Sequence, residues 1–338
     1  MASRKVLSQL GKAFGRTAAR RLTRGPKRPS WSFRYEWLVE LLRIQFGEDP
    51  PPTLQIMRKV MDATGDREDR RRRSHTEWTE VAGMDAAWVT PLWRETSGTV
   101  LYLHGGGYVV GSPRSHRGIM ASVACTAGVR VLGVDYRLAP EHPCPAAIED
   151  AVRAYRWLIE DAHVDPRTLL VAGDSAGGGL TAATLVALRD EGLPLPAGAV
   201  LFSPWLDLTG ETALQADTRF DFIFPNEGTE WAGAYAAKLG RTDPRCSPLF
   251  ADLHDLPPML VLAGELEVLV EESRRFAAKA RAAGADVRLH VEPDEIHVYP
   301  AFFDVSPRAQ AALGRVAQFV QDCFADAELH ESARHAAE

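Results

Sequence analysis

The chain has 338 residues, 46% hydrophobic and 25% charged, with 27 Gly and 22 Pro; this usage excludes disorder, collagen and coiled coil for its bulk. Its net charge of −6 divides into +10 over residues 1–73 and −16 over residues 74–338, so no nucleic-acid partner is expected of the acidic body. Cys125, Cys144, Cys246 and Cys323 have neither paired nor CxxC spacing, which argues against a disulfide framework or zinc knuckle and for free thiols in a reducing compartment.

Residues 1–28 form a basic arm with nine Lys/Arg, no acid and no apolar core of signal-peptide length. With no apolar run of about 18 residues anywhere, the expectation is a cytoplasmic protein without a membrane span. On a helical wheel Val6, Leu7, Leu10, Phe14 and Leu22 fall opposite Lys5, Lys12, Arg16 and Arg20, the pattern of a helix lying on an anionic membrane surface. Gly11 and Gly15 each weaken such a helix by about 1 kcal/mol. A frayed, disordered arm, or one packed beside the following helices, is the competing expectation.

Trp37, Leu38, Leu41, Leu42 and Ile44 lie at helical spacing within Trp31–Phe46, and a second helix is predicted over Thr53–Asp62. The charge run Asp66–Arg73 reads as a solvated link. From there strands and helices alternate. The β-rich runs are Thr99–Leu103, Val129–Val134, Leu169–Ala172, Gly198–Phe202, Met259–Ala263 and Val287–Val291. The helical segments are Pro145–Ile159, Ala176–Arg189, Glu271–Ala283 and Pro307–Phe324. Such alternation requires crossover connections, and so a mainly parallel sheet covered on both faces with ligands at the strands' carboxyl ends. Between Trp205 and Met259 the alternation breaks for about fifty residues holding one predicted helix, Glu227–Leu239, the length of a lid or functional insertion.

Two motifs carry chemistry. Gly173-Asp174-Ser175-Ala176-Gly177 joins an apolar strand to a helix, the context a nucleophile elbow requires. The glycines allow a sharp turn while the serine stands at the strand tip, at the positive end of the helix dipole. Alone, the pentapeptide also fits a glycine-rich turn with an N-capping serine. His104-Gly105-Gly106-Gly107, about seventy residues upstream and also at a strand end, offers backbone N–H groups to an oxyanion. With Ser175 as nucleophile, the oxyanion donors are assigned to the backbone of Gly105, Gly106 and Ala176, and His104 is given a structural role.

Together with Asp135-Tyr136-Arg137-Leu138-Ala139-Pro140-Glu141-His142-Pro143 and Ser203-Pro204-Trp205-Leu206-Asp207-Leu208, these motifs resemble the hormone-sensitive-lipase-like microbial carboxylesterases of the α/β-hydrolases, over about residues 30–325. The resemblance implies an α/β fold with a mostly parallel eight-stranded sheet, helices on both faces and a helical cap. It divides the chain into the arm (1–28), N-terminal cap helices (29–75), a catalytic domain (76–325) with a cap insertion at about 207–245, and a tail (326–338). In such enzymes the acid and then the base follow the serine. Of the ten histidines only His297, and His330 and His335 in the tail, follow the last predicted strand, so His297 is the expected base. The family's acid motif, Asp-Pro-Leu-x-Asp-Glu, aligns with Glu267 to Glu272 and assigns the acid to Glu267, with Glu265, Glu271 and Glu272 as competitors.

What this implies is a serine carboxylesterase hydrolysing short- to medium-chain acyl esters through an acyl-enzyme, needing no metal and no cofactor. The alternatives are the same triad acting on an amide, lactone or carbamate, or a ligand-binding relative without catalysis, a class that lacks the histidine present here. Trp37, Phe46, Tyr108, Trp205, Trp231, Tyr299 and Phe302 are the expected pocket residues. The expected partner is a small ester, with weak association of residues 1–28 with anionic membrane and a homodimer as further readings.

Overall fold

The computed structural model describes residues 2–47, 52–65, 73–93, 96, 98–217, 219–223 and 225–335; most of the charge run at 66–73 and the side chains of Lys5 and Val6 lie outside them. Its centre is an eight-stranded sheet ordered β1-β2-β4-β3-β5-β6-β7-β8. The strands are β1 (Ser74–Val81), β2 (Met84–Pro91), β3 (Thr99–Leu103), β4 (Arg130–Val134), β5 (Leu169–Asp174), β6 (Gly198–Phe202), β7 (Met259–Gly264) and β8 (Val287–Glu292). β1, β2 and β4 pair antiparallel, and every pairing from β4 through β3 to β8 is parallel.

β3, β5, β6 and β7 are buried along their whole length, which is why they read as continuous apolar runs. Alternate side chains feed two layers. Val100, Tyr102, Val200 and Leu260 meet α4 (Arg117–Ala127) and α9 (Pro307–His335) on one face. Leu101, Leu103 and Val171 meet α5 (Ala146–Glu160) and α6 (Ala176–Asp190) on the other, where α8 (Val270–Ala282) also covers Met259 and Val261.

The sequence did not reveal the β1–β2 hairpin, whose turn places Ala82 and Gly83 at φ 50° and 76° without the usual Asn-Gly signal. Helix α4 was also hidden, because it is buried nearly all round and shows no amphipathic stripe. α9 continues to His335, past the expected end at Phe324.

Three helices precede the sheet: α1 (Ala2–Arg24), α2 (Phe33–Phe46) and α3 (Leu54–Gly65). α1 lies against α2 through the small or polar side chains of Gln9, Ala13 and Thr17, leaving Leu7, Phe14 and Leu22 exposed. Two of its cations pair with α2, Arg16 with Glu40 and Arg21 with Glu36 at 2.7 Å, and Lys27, just beyond its end, also pairs with Glu40. These contacts offset the helix-weakening effect of Gly11 and Gly15. α2 buries Tyr35, Glu36 and Val39, whereas the apolar residues predicted for its inner face are only half-buried. In the interval after β6, α7 spans Pro225–Tyr235. Among the described residues no helix is long and apolar enough to cross a membrane.

Candidate active site

Ser175 occupies the turn between β5 and α6 at φ 55°, ψ −121°, a conformation unfavourable for a residue with a Cβ. A Cβ at Gly173 would collide with the Gly177 carbonyl, and one at Gly177 with the carbonyl of Leu103 at the end of β3. The glycines therefore let two strand ends and a helix start converge. The Ser175 amide donates to Phe202 O on β6 at 2.8 Å, and its carbonyl accepts from Trp205 N at 2.9 Å, which hold the turn in place.

The glycine loop after β3 requires a correction to the assigned oxyanion donors. Gly105 N donates to Asp174 Oδ1 at 3.1 Å, so this amide is already committed. Asp174 Oδ1 also accepts the Tyr102 hydroxyl at 2.7 Å, while Oδ2 lies 3.4 Å from His116 Nε2. Burial raises the Asp174 pKa, but the charge of His116 and the hydrogen bonds from His116 and Tyr102 outweigh it and hold the carboxylate below its ordinary range. Asp174 thereby clamps the loop from beneath. Gly106 and Gly107 follow at φ 116° and 61°, and their amides meet no acceptor among the described residues. Ala176 N heads α6, where first-turn amides have no intrahelical acceptor. His104 is buried, stacks on Tyr136 at 4.2 Å and is held neutral by burial, with its pKa near 3, as expected of a structural residue.

His297 lies in the loop between β8 and α9, 3% exposed. Its Nδ1 is 4.0 Å from Glu267 Oε2 and has no hydrogen-bond partner; Glu267 Oε1 also has none. Glu267 Oε2 accepts from Ser203 Oγ at 2.6 Å and from Gly264 N at 2.9 Å, and Ser203 Oγ in turn accepts Val298 N at 2.9 Å. Burial is the leading influence on both groups, pushing the His297 pKa down to about 4 and the Glu267 carboxyl well up. The competing acids are engaged elsewhere. Glu265 is exposed and accepts Asp294 N, and Glu271 is exposed and pairs with Arg274. Glu272 is buried and braces the chain after β6 through the amides of Leu206 and Asp207, with burial raising its pKa to about 8.

The expected pocket residues separate into two sets. Trp37 is removed from it, since its indole donates to Leu10 O at 3.2 Å and its ring meets Phe14: it faces α1. Tyr299 is fully buried in the core beneath α4 and α9 and is also removed. Trp231 lies over the glycine loop, where a Cβ at Gly107 would collide with its ring. Tyr108 stacks on Tyr235 at 3.7 Å and lies 6.0 Å from Trp205. Phe46 and Phe302 meet at Phe222, 5.1 and 6.4 Å away, and Phe222 reaches the His297 ring at 6.0 Å. Phe222 and its neighbour Asp221 lie in the interval after β6, outside the motifs that mark the site. Ser203 lay within a quoted motif, but its contact with Glu267 depends on the third dimension.

Residues 100–301 match the alpha/beta hydrolase fold family. An acetyl-hydrolase of Streptomyces hygroscopicus is 41% identical over 243 residues, 71% of this chain and 81% of its own. The crystal structure of an esterase from the bacterial hormone-sensitive lipase family is 35% identical with a TM-score of 0.79, covering 94% of this chain and 98% of the other. The crystal structure of EstE5, soaked with p-nitrophenyl butyrate, is 39% identical with a TM-score of 0.77, covering 85% of this chain and 98% of the other.

Proposed function

The chain belongs to the α/β-hydrolase family as a carboxylic ester hydrolase of the hormone-sensitive-lipase type, and on that premise we propose that Ser175, His297 and Glu267 perform a two-step acyl transfer. The observation that carries this reading is the pair of unpartnered buried atoms, His297 Nδ1 and Glu267 Oε1, on adjacent groups. A buried polar atom without a partner is costly, and a triad in use would join these two.

Neutral His297 takes the Ser175 proton through Nε2 as Oγ attacks the ester carbonyl carbon. Glu267 stabilises the imidazolium through Nδ1–H, and the amides of Gly106, Gly107 and Ala176 hold the oxyanion. Collapse of the tetrahedral intermediate expels the alcohol, which receives its proton from His297. Water then repeats the sequence on the acyl-enzyme and releases the acid.

Helices α2 and α3 and residues 207–245 act as the cap that excludes water and shapes the acyl site. Short- to medium-chain acyl esters are the substrates. Trp231 over the glycine loop and the Phe46–Phe222–Phe302 cluster beside the base supply aromatic surface for a short acyl chain, and the similarity to an acetyl-hydrolase supports this reading. A series of p-nitrophenyl esters of rising acyl length tests the proposal, with butyrate or hexanoate expected to exceed palmitate in kcat/KM. Robust hydrolysis of emulsified long-chain triglyceride would overturn it in favour of a lipase.

A further inference from the structure

Asp221 is a fully buried carboxylate on the segment between β6 and α7, outside every motif that marks the site. Its Oδ1 accepts the backbone N–H of Phe222 at 2.9 Å and of His297 at 3.3 Å. Its Oδ2 accepts the backbone N–H of Val268, next in sequence to Glu267, at 3.1 Å. Arg43 of α2 donates to the Asp221 carbonyl. One side chain from the helical insertion thus touches the backbone of the base itself and of the residue following the acid, while α2 holds its own backbone.

We propose that Asp221 is a positioning residue that sets His297 against Glu267. The inference rests on the triad reading and deepens it. A buried carboxylate is expensive unless several donors converge on it, and three backbone amides do so here. Two of those amides belong to the separate loops after β7 and β8, whose relative placement decides whether His297 Nδ1 can engage the acid. With the two groups 4.0 Å apart, a displacement of about 1 Å decides between a hydrogen bond and none. Neutralising the carboxylate weakens the tie and lets the loops drift apart.

The charged and titratable groups around it are Arg43 and Tyr35 on α2, Glu267 on the acid loop and His297 on the base loop. Burial pushes the Asp221 pKa up to about 6, against the lowering effect of its amide donors and of Arg43. In the parent enzyme Asp221 therefore loses its charge on acidification before His297, whose pKa is about 4, gains one. On this proposal the acid limb of kcat is assigned to Asp221.

The test compares Asp221→Asn and Asp221→Ala with the parent, with the active fraction counted by driving serine modification by an organophosphate to completion and measuring it by mass. Per labelled serine, kcat should fall about tenfold in Asp221→Asn and about a hundredfold in Asp221→Ala, with KM within about threefold. The acid limb of kcat should move to lower pH in Asp221→Asn, because His297 alone then defines it. Loss of labelled protein with kcat per labelled serine within about twofold of the parent overturns the proposal, as does a fall in kcat with an unmoved acid limb. Failure of the parent to be labelled at Ser175 counts against the triad, a different result.

Discussion

On the nucleophile side of the site, Ser175 and the glycine loop leave β5 and β3, direct neighbours in the sheet with Leu103 paired to Gly173. They are located by strand pairing, by glycine contacts that admit no Cβ, and by Asp174 from the same turn. On the base side, Glu267 and His297 lie beyond β7 and β8, the last two strands of the sheet, and their loops are also held by side chains from distant segments. Tyr35 donates its hydroxyl to Glu295, Trp31 Nε1 donates to Asp294 O at 2.7 Å, and Arg28 and Ser30 engage the Asp294 carboxylate. The nucleophile side is fixed by the sheet alone, whereas the base side is tied both to the strand ends, through Ser203 and Gly264, and to side chains of the N-terminal segment. On the proposed mechanism, residues 28–35 and Asp221 therefore belong to the scaffold that positions the base.

The largest effects ignore this division, because the chemistry needs both sides at once. Ser175→Ala and His297→Ala should each lower kcat by roughly 10⁵–10⁶ with the circular-dichroism spectrum unchanged. Residual activity above about a hundredth in either variant would mean that the residue is misassigned. Glu267→Gln comes next, at roughly 10³–10⁴, since the amide keeps the shape but offers the imidazole the wrong partner. Glu265→Gln and Glu271→Gln should cost under about tenfold, and a reversed order would place the acid elsewhere on the loop.

The sharpest comparison is the smallest in effect. Tyr35→Phe removes one hydroxyl from α2 on the base side and should lower kcat by about three- to tenfold. Arg58→Ala, on α3, removes donors to Val109 O and Ala139 O and a salt bridge to Glu141, all near the glycine loop. It should change kcat by less than about twofold, because Asp174 and the sheet still fix that loop. Equal kinetic losses in the two variants would erase the distinction between the sides.

The same division explains what is legible in the sequence. The elbow and the glycine loop are contiguous, and their strands are fully buried, so apolar runs and glycine spacing announce them; β3 and β6 have the predicted boundaries. The donor register is not legible, because nothing in a string of three glycines shows that the Asp174 carboxylate reaches back to the first of them. On the base side, order along the chain singles out His297. Asp221, Phe222 and Tyr35 stay hidden, since each meets the base loop across a large sequence separation in a region without periodic pattern. Trp37 and Tyr299 show the converse, large aromatic residues that fill ordinary packing sites.

The ion pairs between α1 and α2 have a consequence beyond the N-terminal segment. Glu36 is completely buried, and Arg21 supplies its counter-ion from a helix that contains no acid of its own. Arg21→Met, which removes the cation while α1 still covers the site, would leave that carboxylate with only the Lys27 N–H as a partner in its buried position, at a cost of roughly 3–5 kcal/mol. The damage would not stay local, because the preceding residue is Tyr35, whose hydroxyl reaches Glu295 two residues before the base. A change on α1, far from Ser175, would thus reach the loop of the proposed base as a loosened contact, tying the α1–α2 ion pair to turnover.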